Sequence, residues 1–293
     1  MKKNSIAFLL FYILLLFLFS CNPQVDFGEQ YKKTVYIVNS NNIIHEQDLF
    51  LGKEDNQLAL SVYCAGSENI KEELKVTLDI DKEALEAYNE RMMIETLQYR
   101  KIDLLPETHF SFENPTVTIK AGEQYGMLKL PVSAEGLDPD KRYAVPVRIT
   151  SNSAGYDINE ERDFIVLEAI LQNGFSGEYS GVFHLLTLEK KYTVQRSLKA
   201  ISANSVRMPI SPVSDEEESS ETDYMLLTID SDSTTVHISP WKNAPITDLG
   251  GNSYDKEKKS FDLHYSCITD EGMEITVHET IQNNTVITEE EED

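Results

Sequence analysis

Cysteine is scarce in this chain: only Cys21, Cys64 and Cys267 occur in 293 residues. Cys64 lies on the Leu58, Leu60, Val62 parity of an alternating segment, and Cys267 on the Phe261, Leu263, Tyr265 parity of another. Both thiols therefore read as core-facing small hydrophobes, and a bridge between them would have to join two separate domains. Positive charge is also short, with 26 Lys and Arg against 50 Asp and Glu and a net charge of −24. That balance repels nucleic acid and anionic membrane surfaces, so no nucleic-acid partner is expected. No Gly-x-Ser-x-Gly elbow, no phosphate-cradling glycine loop with Lys and no His-Glu-x-x-His segment is present. The six histidines (His45, His109, His184, His237, His264 and His278) include no ligand pair on one element, so neither a metal nor a cofactor is expected. No internal repeat is evident, and tryptophan occurs once, at Trp241.

The one long uncharged apolar run is at the start. Lys2 and Lys3 precede Ile6 to Phe19, and Leu18-Phe19-Ser20-Cys21 closes the run. This is the order of a secretory signal peptide. It is shorter than the about 20 apolar residues of a comfortable bilayer span. Cys21 stands where a lipoprotein signal peptidase would cut, after small Ser20 and with aliphatic Leu18 three residues before it. Residues 1–20 are therefore read as a lipoprotein signal peptide and Cys21 as the lipidated residue. Several acyl chains anchor stably because each buried methylene contributes about 0.8 kcal/mol. Residues 21–32 read as a polar tether.

Beyond the tether the length suits about two domains, and 41% hydrophobic residues suffice for two cores. Strand patterns appear at Thr34 to Val38, Leu58 to Cys64 and Val76 to Ile80. Leu85, Tyr88 and Met92 fall at helical spacing, and Leu105-Pro106 stops that helix. Strands resume through Phe110, Val117, Leu128 and Tyr143 to Ile149, where Pro146 points to an edge strand or bulge. Asp163 to Leu171 is a nearly continuous apolar strand buried on both faces. About seven strands at short intervals predict an immunoglobulin-like sandwich over residues 33–173. Asn173-Gly174 is a natural boundary. Residues 174–288 read almost entirely as strands and hairpins, predicting a β-sandwich or flattened β-barrel. The acidic stretch Ser214 to Asp223 reads as a solvated loop, and residues 289–293 as a disordered acidic tail. The fold class is all-β with one helix.

Several of these segments together resemble a known family. Val35-Tyr36-Ile37, Tyr88-Asn89, Leu105-Pro106-Glu107 and Thr116-Val117-Thr118-Ile119-Lys120-Ala121-Gly122 are similar to the N-terminal immunoglobulin-like domain, of unknown function, found on lipoproteins of Sus-type glycan-uptake loci. Gly136-Leu137-Asp138-Pro139 and Tyr143-Ala144-Val145-Pro146-Val147-Arg148-Ile149 extend the likeness. Phe175-Ser176-Gly177-Glu178-Tyr179, Asn252-Ser253-Tyr254-Asp255 and Phe261-Asp262-Leu263-His264-Tyr265 resemble the accompanying C-terminal domain. The resemblance implies an outer-membrane-anchored lipoprotein that helps to capture a glycan. Its partners would be the glycan and an outer-membrane transporter or glycosidase, with the membrane touched through the lipid alone. One departure is that the segment between Tyr88-Asn89 and Leu105-Pro106 is rich in Met and charge. These motifs form strands and turns and transfer no catalytic residue.

Sugar binding needs exposed aromatic faces beside fixed polar groups. Trp241, in the loop-like Ser239-Pro240-Trp241-Lys242-Asn243, and Tyr254, read at the tip of a Gly-Gly-Asn-Ser turn, are the candidate stacking faces. Asn243, Asp248 and Asn252 are candidate hydrogen-bonding groups beside them. The leading expectation is non-catalytic glycan binding. The rivals are an envelope docking subunit without sugar affinity and a hydrolase using an unrecognised carboxylate pair.

Overall fold

A computed structural model describes residues 29–285 apart from 98, 114, 211–222 and 270. The signal peptide, Cys21, most of the tether, nearly all of the acidic stretch from Ser214 and the acidic tail lie outside the described residues. Among the described residues no helix is long and apolar enough to cross a membrane.

The first half builds a two-sheet sandwich. Its strands are β1 (Thr34–Ile37), β2 (Ile44–Phe50), β3 (Gln57–Ala65) and β4 (Leu74–Ile80), followed by helix α1 (Lys82–Glu95). Then come β5 (Ile102–Leu104), β6 (Thr116–Ile119), β7 (Tyr125–Pro131), β8 (Arg142–Asn152), β9 (Asp157–Ile158) and β10 (Phe164–Gln172). One sheet has the order β7-β3-β1-β9 and the other β2-β10-β8-β4-β6, with β5 joined to β8. Alternation in β3 sends Leu58, Leu60, Val62 and Cys64 between the sheets, against Val76, Leu78, Val147, Ile165 and Leu167. Cys64 is buried and reduced, as its parity implies, and burial raises its pKa.

The six-stranded sheet is covered on its outer face as well, which explains the continuous apolar run of β10. Leu85 of α1 packs there against Ile102, Ala144 and Val166. Asp81 caps α1 by accepting from the Ala84 amide at 2.9 Å. Asn89, buried in that face, donates to the Ile102 carbonyl at 2.9 Å and accepts from its amide at 3.0 Å. It also accepts from the Tyr99 hydroxyl at 2.8 Å. Its amide thereby holds the helix to β5, so the Tyr88-Asn89 pair is a structural staple.

Pro146 is not at an edge: β8 lies between β10 and β4. Its neighbours explain the tolerance. Ala144 O accepts from Leu105 N and Pro146 O from Asp81 N, so this side of β8 faces the point where β5 has ended and β4 is ending. The missing N–H falls in the gap between two partner strands.

The second half is one nine-stranded sheet. It comprises β11 (Gly177–Leu185), β12 (Lys190–Ser202), β13 (Ser205–Pro209), β14 (Tyr224–Ile229) and β15 (Val236–Pro240). β16 (Ile246–Asp248), β17 (Ser253–Asp255), β18 (Ser260–Ile268) and β19 (Glu274–Asn283) complete it. The order is β15-β14-β13-β12-β11-β19-β18-β16, with β17 on β18. The two ends meet: Thr235 bridges Ser253, Tyr254 N donates to Thr234 O at 2.7 Å and Val236 N to Asn252 O at 3.3 Å. The sheet thus closes into a flattened barrel around Tyr179, Phe183, Leu227, Leu263 and Val277. Gly181 of β11 is required here, since a Cβ would sit 1.9 Å from Thr280 O. Cys267 is buried in this core, and burial pushes its thiol up to about 11.

The halves are docked closely. Asn173 is buried and its amide donates to Ser202 O at 2.7 Å and Ser205 O at 2.8 Å, while Oδ1 accepts from Phe175 N and Ser176 N. Gly52, at φ 80°, brings its backbone so near Ala203 that a Cβ would lie 2.5 Å from the Ala203 methyl. At the other end, the described part of the tether is also docked. Glu29 accepts from Ser67 N at 2.6 Å and pairs with Lys33, which bonds Glu68 O at 2.5 Å.

Candidate functional site

The five residues singled out for sugar contact fall into two groups that are employed differently. Trp241 follows β15 and is half-buried, with the Arg207 guanidinium carbon 5.1 Å from its ring centroid. Arg207 also lies 4.6 Å from the Tyr224 ring and is itself 2% exposed. Its fork engages Asp140 of the first domain, Nη1 donating to Oδ2 at 2.9 Å and Nη2 to Oδ1. This bond holds the Asp140 carboxyl below the usual carboxylate range, overcoming the cost of burial. Trp241 is therefore one wall of a cation–π stack at the domain junction. Asn243, on the same turn, is exposed.

Asp248, Asn252 and Tyr254 build the corner that closes the barrel. Asp248 accepts from Ile238 N at 2.9 Å, Gly250 N at 2.7 Å and the Asn252 amide at 2.7 Å. Burial alone would raise its pKa, but these three donors outweigh it and the net shift is downward. Asn252 is 5% exposed and accepts from His264 N at 2.6 Å. The sequence expectation for Tyr254 is corrected. It is 4% exposed, 5.0 Å from the Phe175 ring edge-on and 4.7 Å from Phe261, with no face left for a sugar. The turn tip lies at Gly250-Gly251, so Tyr254 already has inward parity in β17.

The concave feature at the junction is a cleft of about 280 Å³ between β10 and β12, reached by Arg100, Lys141, Arg142, Lys199, Glu168 and Glu178. Four of these six charges are basic in a strongly acidic chain. Glu168, 1% exposed, accepts from Arg142 Nε at 2.7 Å and Nη2 at 2.6 Å. The carboxylate holds the guanidinium charged more firmly than usual, against the cost of burial. Arg142 Nη1 donates to Arg100 O at 3.0 Å, and the guanidinium lies 5.8 Å from the Tyr99 ring. Both Glu168 oxygens thus accept from the Arg142 fork, which commits that carboxylate to the ion pair. The cleft presents fixed charges and amides suited to reading hydroxyl or acidic groups. A larger groove of about 700 Å³, at Gly52–Glu54, Thr108–Ser111 and Pro131–Glu135, is lined by the first domain alone.

Strand pairing also assembles a group that no single element contains. His264 of β18 is opposite His278 of β19, which is opposite His184 of β11. The His264 and His278 rings stack at 4.4 Å and 8°, and His278 Nε2 lies 2.8 Å from Asp262 Oδ1. Spacing along one strand could not reveal this, because His264 and His278 are neighbours across the sheet.

Comparisons with known proteins follow this two-domain layout. Residues 31–155 match a family model for an N-terminal domain, and residues 164–282 match the corresponding model for a C-terminal domain. No curated protein matches the chain. Among solved structures, a Bacteroides ovatus protein of unknown function aligns with a TM-score of 0.60 at 15% identity, covering 85% of this chain and 93% of its own. A B. ovatus multidomain protein including DUF1735 gives 0.59 at 15% identity, covering 87% and 93%. An auxiliary nutrient binding protein of Bacteroides thetaiotaomicron gives 0.52 at 14% identity, covering 80% and 89%. At these identities the likeness is one of fold.

Proposed function

We propose that this chain is a surface lipoprotein of the outer membrane, anchored through Cys21, that captures a polysaccharide or glycoprotein glycan without cleaving it and passes it to a transporter or partner glycosidase. The observation that carries the reading is the polar cleft at the domain junction, where Arg142 and Glu168 hold each other in place. Preformed polar groups in a concave site at a domain interface suit a ligand rich in hydroxyls. The fold shared with a protein named for nutrient binding supports the same class. The lipid-signal pattern in residues 1–21 supports the location.

Calorimetry and affinity electrophoresis of residues 22–293 against a broad glycan panel test the reading. Lys141→Ala and Glu178→Ala, both at exposed cleft positions, should each weaken binding roughly tenfold, as loss of a charge-assisted hydrogen bond implies. A panel without any binder ends the proposal. A stoichiometric protein partner recovered without glycan affinity would identify a docking subunit instead, and released sugar products a hydrolase. For the anchor, Cys21→Ser should lose labelling by a clickable palmitate analogue.

A further inference from the structure

The outer face of the barrel carries a feature that glycan capture leaves unused. His264 and Asp262 share one face of β18, two residues apart, and His278 stands opposite His264 on β19. His264 N donates to Asn252 Oδ1 and its carbonyl accepts from Leu249 N, so both of its backbone groups point away from β19. His264 and His278 are therefore a non-hydrogen-bonded pair, the kind in which Cα atoms approach to about 4.5 Å and side chains come closest. The imidazoles converge on one carboxylate oxygen, with His278 Nε2 at 2.8 Å and His264 Nδ1 at 3.8 Å from Asp262 Oδ1. One donor atom from each residue falls within 4.8 Å of the other two. His264 Nδ1 is shielded from solvent and has no hydrogen-bond partner.

We propose that Asp262, His264 and His278 bind a divalent transition-metal ion of the zinc class, with water completing the shell. Two imidazole nitrogens and one carboxylate oxygen are the donor set that zinc, nickel and copper prefer, whereas calcium and magnesium take oxygen. A tetrahedral zinc site places its donors on the order of 3.4 Å apart. The two side chains with the longest separations reach this by rotating half-exposed rings about χ2, a broad torsion. The ion satisfies the shielded His264 nitrogen. Three protein ligands leave at least one position open, the arrangement that lets a bound metal accept a ligand oxygen. His184, next in the row, stands outside the three-donor group.

The test is calorimetric titration of residues 22–293 with zinc chloride in excess magnesium, which occupies carboxylate-only sites. One zinc per chain is expected, and Cu²⁺ in its place should show nitrogen hyperfine coupling in its paramagnetic resonance spectrum. His264→Gln and His278→Gln, which keep a polar side chain on the outer face, should each lower affinity at least about tenfold. His237→Gln, which removes a histidine paired with Asp230 and outside the three-donor group, should leave it unchanged. Circular dichroism confirms that each variant is folded. Absence of stoichiometric binding, or binding that survives both His264→Gln and His278→Gln, overturns the proposal.

Discussion

Between the sheets of the first domain the main core is apolar from Val35 to Leu167, whereas the barrel of the second closes around a guanidinium and a carboxylate. Arg196 is 1% exposed and Glu279 wholly buried. Arg196 Nε donates to Glu279 Oε1 at 2.7 Å, and the Tyr265 hydroxyl donates to Oε2 at 2.7 Å. Burial first, and the adjacent carboxylate second, push the Tyr265 phenol far above its usual range, so it remains a donor. Among the described residues, the sandwich's one buried charged side chain is Glu168, and it lies on the outer face beside α1, away from the sheet-to-sheet core. Two flat sheets that approach face to face fill their gap with aliphatic side chains. A closed barrel holds its interior at a fixed width and can enclose a polar network whose members satisfy one another.

The largest test of that contrast is Glu279→Ala. It strands Arg196 inside the barrel and should cost about 3–5 kcal/mol, read as an early loss of the second domain in denaturant. Replacing Arg196, Glu279 and Tyr265 together with Met, Leu and Phe should restore most of that stability. If the single substitution is harmless, the network contributes nothing to the barrel.

Arg207→Met comes next. Asp140 remains partly exposed, so the loss should be about 1–3 kcal/mol. Its signature should be separation of one unfolding transition into two as the junction loosens, followed by calorimetry. Asn89→Ala should cost about 1–2 kcal/mol within the sandwich alone by releasing α1 from β5, seen as faster amide exchange at Ile102.

The smallest effect is at Glu29. Its bonds to Lys33 and to the Ser67 amide lower its pKa from 4.5 to about 2. A depressed carboxylate contributes stability above its unfolded pKa and loses it as pH falls towards the folded value. Exchange protection of the Ser67 amide should therefore decline between pH 4.5 and 2, and Glu29→Gln should remove that pH dependence.

Much of the fold was legible because strand alternation is local. Cys64 and Cys267 are core-facing as their parity implies, and the apolar run through Leu167 lies in a strand covered on both faces. Parity also carried signals that went unused. Glu168 interrupts an apolar run, and Arg196 and Glu279 share the inward parity of Val194, Leu198, Val277 and Ile281. A buried charge demands a partner. Pro146 misled because a proline's tolerance depends on which neighbouring strand has ended, and Tyr254 because the turn lies three residues earlier than its assumed tip.

The amino-acid order by itself determined the all-β class, the helix, and which side of the long alternating strands such as β3 and β18 faces inward, since period and propensity act within a few residues; it left β2, read as polar turns, to the tertiary structure. Only the tertiary structure decided that Arg207 reaches Asp140 across 67 positions, that Trp241 stacks on that arginine, and that His264 meets His278. Register between strands and docking between domains are long-range choices, set by which closed arrangement buries the apolar faces and pairs the charges together.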